Sequence, residues 1–125
     1  LEGLTKQYGV GILVGDDTRR ATKGVVFREI DRVRVKGKDE PVSIHEPLAL
    51  EAEFDRGRVE ELKLWNQALR QFRAQEWDQA ELTLFNLQRL APDCLLYSAY
   101  AEQIGYYRRS PPGRDWDGVR TFETK

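Results

Sequence analysis

The fold of this chain of 125 residues is decided by the stretch Val33-Arg34-Val35-Lys36-Gly37-Lys38-Asp39-Glu40-Pro41-Val42. Before residue 36, valine alternates with arginine, which is typical of a strand with one apolar and one polar face. The apolar pattern resumes at Val42 and Ile44, which we expect to face inward, after a basic turn that contains Gly37. We therefore predict a β-hairpin whose strands are joined by a turn at residues 36–40.

The residues before the hairpin change pattern quickly. Residues 1–8 read as the end of a helix, and Gly9 suits its C-terminal stop. Residues 10–14 form a short apolar run, which predicts a strand buried on both faces. One residue of the Asp16-Asp17 pair can then cap a short helix over residues 18–23.

The hairpin strands carry two irregularities. Phe27 and Ile30 fall out of phase with one another, which predicts a β-bulge. Pro47 is expected to end the second strand or to lie at a sheet edge. The order helix, strand, helix, strand, strand indicates an α+β fold that is incomplete as a domain.

From residue 48 onward the pattern is helical. Large apolar residues recur at spacings of about three, four and seven, with breaks at residues 75–78 and 91–93. Pro92 suits the first position of the last helix, and residues 110–125 are expected to be irregular or weakly extended. The periodic residues are Phe54, Leu62, Trp65, Leu69, Phe72, Ala80, Leu84, Leu87, Leu90, Leu96, Tyr97, Tyr100 and Ile104.

Composition excludes several function classes. The net charge of -1 lacks the basic excess of a general nucleic-acid binder. No stretch approaches the roughly 20 apolar residues of a membrane span, so membrane attachment is expected only through an upstream domain. The single cysteine, Cys94, is compatible with a cytoplasmic location. The chain begins at Leu1 and contains no Met, so we expect a fragment of a longer protein.

The polar residues that could hold a metal ion are few. Asp16 and Asp17 lack further carboxylates at calcium-loop spacing, so a helix cap is favoured. His45 is the sole histidine, and a surface or sheet-face role is expected. Cys94 is expected to be a small buried apolar residue. We therefore predict no metal site in this chain.

The helical half resembles the tetratricopeptide repeat. One repeat and the start of another are present, whereas a free-standing solenoid needs about three. The resemblance implies a helical extension, and a generic three-helix hairpin is an equally good interpretation. The residues that carry the resemblance are Trp65, Ala68, Phe72, Trp77, Ala80, Leu84, Leu87 and Pro92.

Two further stretches resemble the closing part of the class III nucleotidyl cyclase catalytic domain. They are Leu-Glu-Gly-Leu-Thr-Lys-Gln-Tyr-Gly at residues 1–9 and Arg-Glu-Ile-Asp-Arg-Val-Arg-Val-Lys-Gly-Lys at residues 28–38, which Glu-Pro-Val follows at 40–42. Pro111-Pro112 and the Asp-Trp-Asp-Gly-Val of residues 115–119 are similar to the tail of some bacterial members.

This resemblance implies three regions. Residues 1–48 would be the C-terminal part of a ferredoxin-like cyclase domain, residues 49–109 a tetratricopeptide-like extension, and residues 110–125 an irregular tail. The parent would be an adenylate cyclase that converts ATP, or less often GTP, into a cyclic 3′,5′-monophosphate and pyrophosphate. It would use Mg²⁺ or Mn²⁺ and act as a homodimer through its catalytic domain.

The resemblance assigns one ligand contact to this chain. The family's metal-binding aspartates, its base-selecting residues and its transition-state Asn and Arg precede Leu1, so the chain alone is expected to be inactive. Lys36 corresponds to a lysine that can contact the terminal phosphates of the nucleotide. A solvated hairpin tip that protects a sheet edge is an equal alternative for Lys36, and Arg34 and Lys38 are interpreted as surface charges.

A second function class stays open. The helical half could be a non-enzymatic interaction or dimerisation module, with Trp65, Trp77, Tyr97 and Tyr100 lining a groove for a partner. It could also regulate a cyclase by setting how two catalytic domains meet. If the sheet is truncated, we expect self-association through its exposed strand edges.

Overall fold

The computed structural model describes residues 2–35 and 40–122, which contain both helices and a small sheet. An α+β fold is therefore confirmed. The chain divides into two compact units, Leu1–Asp55 with Val119–Lys125 and Arg56–Gly118. In the part that is described, no helix combines the length and the apolar character that crossing a membrane would need.

The first unit begins with a short helix and a stop at glycine. A 3₁₀ turn over Glu2–Leu4 leads into α1, Thr5–Tyr8. Gly9 follows with φ of 69°, a left-handed conformation that glycine adopts without steric cost. The predicted C-terminal stop is thus confirmed.

The predicted cap of the second helix is wrong. Helix α2 spans Asp16–Ala21 and is preceded by Gly15, without a side-chain cap. Asp16 and Asp17 lie inside its first turn, where negative charge interacts favourably with the helix dipole.

The strand predicted at residues 10–14 is also wrong. Val14 makes an isolated bridge to His45, and Ile12 is 59% exposed. Leu13 alone of the run is buried. A short apolar run does not by itself distinguish a buried strand from an extended connection that buries one side chain.

The hairpin is confirmed, with a register that shifts twice. Strand β1, Val25–Val35, pairs antiparallel with β2, Val42–Leu50. The register shifts lie between Val26 and Phe27 and between Glu29 and Asp31, where a bulge was predicted.

A third strand comes from the C-terminal residues that were expected to be irregular or weakly extended. Strand β3, Arg120–Phe122, pairs in parallel with the end of β1, from Val33 to Val35. Among the described residues the strand order is β2-β1-β3. Parallel pairing requires a long return of the chain, and the second unit lies within that return.

Pro47 does not end β2, because the strand continues to Leu50. The backbone N–H and C=O of His45 bond to Val14, so they point away from β1. Pro47, two residues later, faces the same outer side, where its missing N–H costs no ladder bond. Pro47 therefore occupies an edge strand, as the second alternative predicted.

Both apolar residues that are predicted to face inward in β2 do so, because Val42 pairs with buried Val33, but the two differ in burial. Ile44 is fully buried with Ile30 and Val33, but Val42 is 44% exposed. Val42 is the first residue of β2, where the apolar alternation overestimates burial.

The second unit consists of the predicted helices. They are α3, Arg56–Arg73, α4, Trp77–Leu90, and α5, Leu95–Arg109. Pro92 lies in the turn before α5 and not at its first position, because α5 begins only at Leu95. The core residues are Trp65, Ala68, Leu69, Phe72, Ala80, Leu84, Leu87, Leu96, Tyr97, Tyr100 and Ile104.

Candidate functional site

The predicted phosphate contact, Lys36, lies outside the described residues. The hairpin that carries it is described up to Val35 on one strand and from Glu40 before the other. Val33 pairs with Val42, so the described ladder extends to within three residues of Lys36 in the sequence, and residues 36–39 of the predicted turn lie outside the described residues. The structure leaves the role of Lys36 a prediction.

A buried tyrosine–carboxylate pair joins α1 to strand β1 of the hairpin. The Tyr8 hydroxyl donates to Asp31 Oδ2 over 2.6 Å, and the Arg32 backbone N–H donates to Asp31 Oδ1 over 2.7 Å. Burial, and then the neighbouring Asp31 carboxylate, raise the pKa of Tyr8 well above its usual range. The hydroxyl therefore remains a proton donor at neutral pH.

A cation from β3 lies over the same tyrosine. The Arg120 guanidinium carbon is 5.4 Å from the centre of the Tyr8 ring and 5.0 Å from that of Phe122. Both separations are within the range of cation–π attraction. Residues near both ends of the sequence thus meet at one polar cluster.

Two further polar pairs involve residues of β2. Arg28 donates to Glu46 Oε1 from Nη2 over 2.6 Å and from Nε over 3.2 Å, across the β1–β2 pair. His45 Nε2 lies 2.6 Å from Asp16 Oδ1. His45 is buried, so the predicted surface role is wrong and a sheet-face role is right. Asp16 links α2 to β2 through this contact.

Three separate sets of contacts contain the side chains that we call together the polar cluster: Tyr8, Asp16, Arg28, Asp31, His45, Glu46 and Arg120. The Tyr8–Asp31, Arg28–Glu46 and His45–Asp16 contacts each join an acidic group to a hydroxyl, a guanidinium or an imidazole, whereas Arg120 lies over the Tyr8 ring. Asp16 and His45 were each considered as a metal ligand from the sequence, but neither their contact nor the other pairs were predicted. A detectable signal was the presence of charged residues on both sides of Ile30 in β1, and of His45 and Glu46 directly after Ile44 in β2.

The contacts of the polar cluster link α1, α2, β1, β2 and β3 of the first unit. Among residues 2–35 and 40–122, no group of three His, Cys, Asp or Glu side chains could hold an ion. Cys94 is half-buried, less than predicted, and lies in the second unit.

The groove predicted for the second unit does not form from the named aromatics. Trp65 and Tyr97 are fully buried and Tyr100 nearly so. The Trp65 ring centre lies 5.7 Å from that of Tyr97 and 4.9 Å from that of Tyr100. The Tyr97 hydroxyl donates to Glu61. These residues build the core of the unit.

A more exposed aromatic cluster lies at the other end of the helices. Trp77 stacks on Tyr107 with ring centres 5.6 Å apart, and Trp116 packs against Tyr107 at 5.1 Å. Phe72 contacts all three rings. Trp116 attaches the segment after α5 to the helices.

Comparison with known proteins gives a partial match. The chain is 48% identical over 50 residues to an adenylate cyclase from Anabaena cylindrica, a match that covers 37% of this chain and 10% of that protein. No protein family and no solved structure matches the chain. The chain spans about a tenth of the length of this relative. Part of this chain is therefore related to part of an adenylate cyclase.

Proposed function

We propose that the chain is the C-terminal part of a class III adenylate cyclase, whose parent converts ATP into 3′,5′-cyclic AMP and pyrophosphate. The observation that carries this proposal is the 48% identity to an adenylate cyclase over 50 residues. The hairpin of β1 and β2 supports it, because the residues that resemble the family lie largely in that hairpin. The parent would be cytoplasmic or attached to a membrane through an upstream domain.

We assign residues 1–48 to the end of a ferredoxin-like catalytic domain and residues 49–109 to a tetratricopeptide-like extension. Support for the extension is the packing of α3 along α4, with Ala80 buried in α4. A small residue at such a position lets two helices approach closely. Residues 110–125 are the tail, of which Arg120–Phe122 returns to the sheet.

Among the described residues we find no set of ligands for the metal ions of the proposed reaction. None of their His, Cys, Asp and Glu side chains gather in a group of three that could hold an ion. We therefore propose that Mg²⁺ or Mn²⁺ binds to other parts of the catalytic domain, which would form a homodimer. No reaction step is assigned to the polar cluster.

Lys36 is the residue for which we propose contact with the terminal phosphates of ATP. In the sequence Lys36 directly follows the last residue of β1, and a primary ammonium on a flexible stem suits a solvated triphosphate. Lys38 has the same charge and lies two residues later in the sequence, so it provides a matched control.

The test uses the full-length parent with ATP and Mn²⁺, and measures cyclic AMP. We expect Lys36→Ala to raise the KM for ATP by about 10- to 100-fold, the usual loss of a charged hydrogen bond. Lys38→Ala should change it by less than about 2-fold, as expected of a solvent-screened charge. Equal effects of the two variants would contradict a specific phosphate contact, and no cyclic AMP from the parent would contradict the proposed function.

The chain by itself is expected to make no cyclic AMP. Adding it to a parent that has been truncated before the corresponding Leu1 should restore activity, if residues 1–48 complete the catalytic domain. Cyclic AMP production by the isolated chain, or failure of a folded chain to restore any activity, would contradict the assignment.

The second candidate is an interaction or dimerisation module formed by the helices, which in a cyclase could set how two catalytic domains meet. The test replaces Arg56–Gly118 in the parent by a short flexible linker, so that β3 is retained. Reduced activity that recovers at high enzyme concentration would support a dimerising role. Unchanged activity and dimerisation would contradict it.

A further inference from the structure

Helix α4 leaves apolar side chains in solvent on the face opposite its core. Its inner face contains Ala80, Leu84 and Leu87, and the helix packs against α3 and α5. On the outer face, Leu82 is 62% exposed and Phe85 is 56% exposed. Two large neighbouring apolar residues on one exposed helix face indicate a contact surface more strongly than a scattered residue does.

The exposed pair belongs to a stripe that has a charge at each end. Asp78, Leu82, Phe85 and Arg89 follow one another at spacings of four, three and four, which places them on one helix face. All four are exposed. Leu90 is equally exposed, at 61%, but lies about 110° around the helix from the centre of this stripe.

The stripe is complementary to itself when it is reversed. The stripe is symmetric about a point between Thr83 and Leu84. Asp78 and Arg89 lie at equal distances on either side of it, and so do Leu82 and Phe85. In an antiparallel arrangement, Asp78 therefore meets Arg89 of a second copy at both ends, and the apolar residues meet in the middle. Antiparallel helix dipoles also attract one another.

We propose that α4 pairs with α4 of a second copy of this chain, antiparallel and about a two-fold axis. Such an isologous interface uses the same patch on both copies, as the stripe allows. Phe85 and Leu82 supply the apolar centre, and the Asp78–Arg89 pairs set the register.

Arg108 already binds the Asp78 carboxylate, with its Nη2 2.8 Å from Oδ1. The hydrogen bond to Asp78 raises the pKa of Arg108, and the contact holds Asp78 at the rim of the stripe. The Asp78 side chain remains 87% exposed, so its second oxygen is accessible to a partner. Because two apolar residues per copy form a small interface, the dimer is weak.

The first test is sedimentation equilibrium of the whole chain from about 10 µM to about 1 mM, the range in which small interfaces associate. We expect Leu82→Ser and Phe85→Ser each to weaken dimerisation at least about tenfold, as loss of a central apolar contact does. Leu90→Ser is the matched control and should leave it unchanged. A monomer throughout this range, or equal effects of all three variants, would overturn the proposal.

The second test addresses register. Asp78→Lys and Arg89→Asp should each weaken the dimer, and the two together should restore it. In a Cys94→Ser background, mixing Asp78→Cys chains with Arg89→Cys chains and adding an oxidant should form mixed disulfides faster than either forms with itself. Faster self-pairing would indicate a parallel or non-specific contact and would overturn the antiparallel arrangement.

This proposal does not depend on the cyclase assignment. Neither test uses a nucleotide, so each proposal can fail while the other stands. Association through the strand edges would survive Leu82→Ser and Phe85→Ser, and that result would favour the sheet and overturn pairing through α4.

Discussion

The two units bury different chemistry. In the second, the interior is aromatic and aliphatic, with Trp65 at its centre. In the first, buried Ile30 and Ile44 share the interior with Arg28 and Asp31, which have polar partners. Apolar burial tolerates imperfect geometry, whereas buried charge is stable only with a partner in place. Single substitutions should therefore act by different mechanisms in the two units.

Trp65→Ala should have the largest effect. Trp65 is fully buried and contacts two other rings, so its truncation leaves a large cavity. We expect a loss of about 3–5 kcal/mol in the free energy of unfolding of the helical unit. Urea titration followed by circular dichroism at the helical minimum measures it.

Phe85→Ala is the control for Trp65→Ala, because Phe85 is also aromatic and helical but is exposed. Its effect should be below about 0.5 kcal/mol when measured at a concentration where the chain is monomeric. Comparable losses for both variants would mean that the Trp65 cluster is not the centre of the unit.

Glu46→Gln should reduce the stability of the first unit nearly as much as Trp65→Ala reduces that of the second. It removes the charge that faces Arg28, whose side chain is only 8% exposed. We expect a loss of about 3 kcal/mol, which comes mainly from depriving a buried cation of the carboxylate that faces it. The double variant Arg28→Met with Glu46→Leu should be more stable than Glu46→Gln, because it leaves no buried charge without a partner. The opposite order would show that the pair is not effectively buried.

Tyr8→Phe removes one donor from Asp31. The ring and its packing remain, but a buried carboxylate loses a 2.6 Å hydrogen bond. We expect a loss of about 2 kcal/mol at neutral pH, measured by urea unfolding. Tyr106→Phe, at an exposed ring, is the control and should have little effect.

The same variant should change stability at alkaline pH. The folded-state pKa of Tyr8 is raised, by burial first and by Asp31 second. Its contribution is therefore complete below the unfolded pKa of about 10 and is lost as pH rises above it. The difference in unfolding free energy between the wild type and Tyr8→Phe should shrink above that pH. A constant difference would indicate that Tyr8 ionises normally in the folded state.

The second unit was the more predictable from sequence. Apolar residues at helical spacing predicted α3, α4 and α5, because helix faces leave a repeating pattern in the sequence. The pattern also led to an error where it was short. Residues 10–14 were predicted as a strand from a run too brief to distinguish an extended connection from a strand.

The polar cluster could not be predicted, for a physical reason. The Tyr8–Asp31 and His45–Asp16 pairs join residues far apart in sequence, and no spacing rule connects a hydroxyl to a distant carboxylate. The return of the chain to form β3 was equally hidden, since Arg120–Phe122 is too short for a periodic pattern. The hairpin was predictable because its partners are neighbours in sequence.

Gly118→Ala should have the smallest effect, a loss of about 1–2 kcal/mol in the free energy of unfolding. Two causes contribute to this loss, the left-handed backbone conformation and the lack of space for a Cβ atom. Gly118 has φ of 76°, and an added Cβ would lie 3.1 Å from Arg73 Cγ. Gly113 also has a positive φ, 97°, but a Cβ there meets nothing within 4 Å. Gly113→Ala therefore measures the backbone cost alone, about 1 kcal/mol, and any excess in Gly118→Ala measures packing against Arg73. Because Arg73 belongs to α3, thermal unfolding of the helical unit should show a larger loss of stability for Gly118→Ala than for Gly113→Ala. If both alanines cost the same, close packing of the segment after α5 does not contribute to its stability.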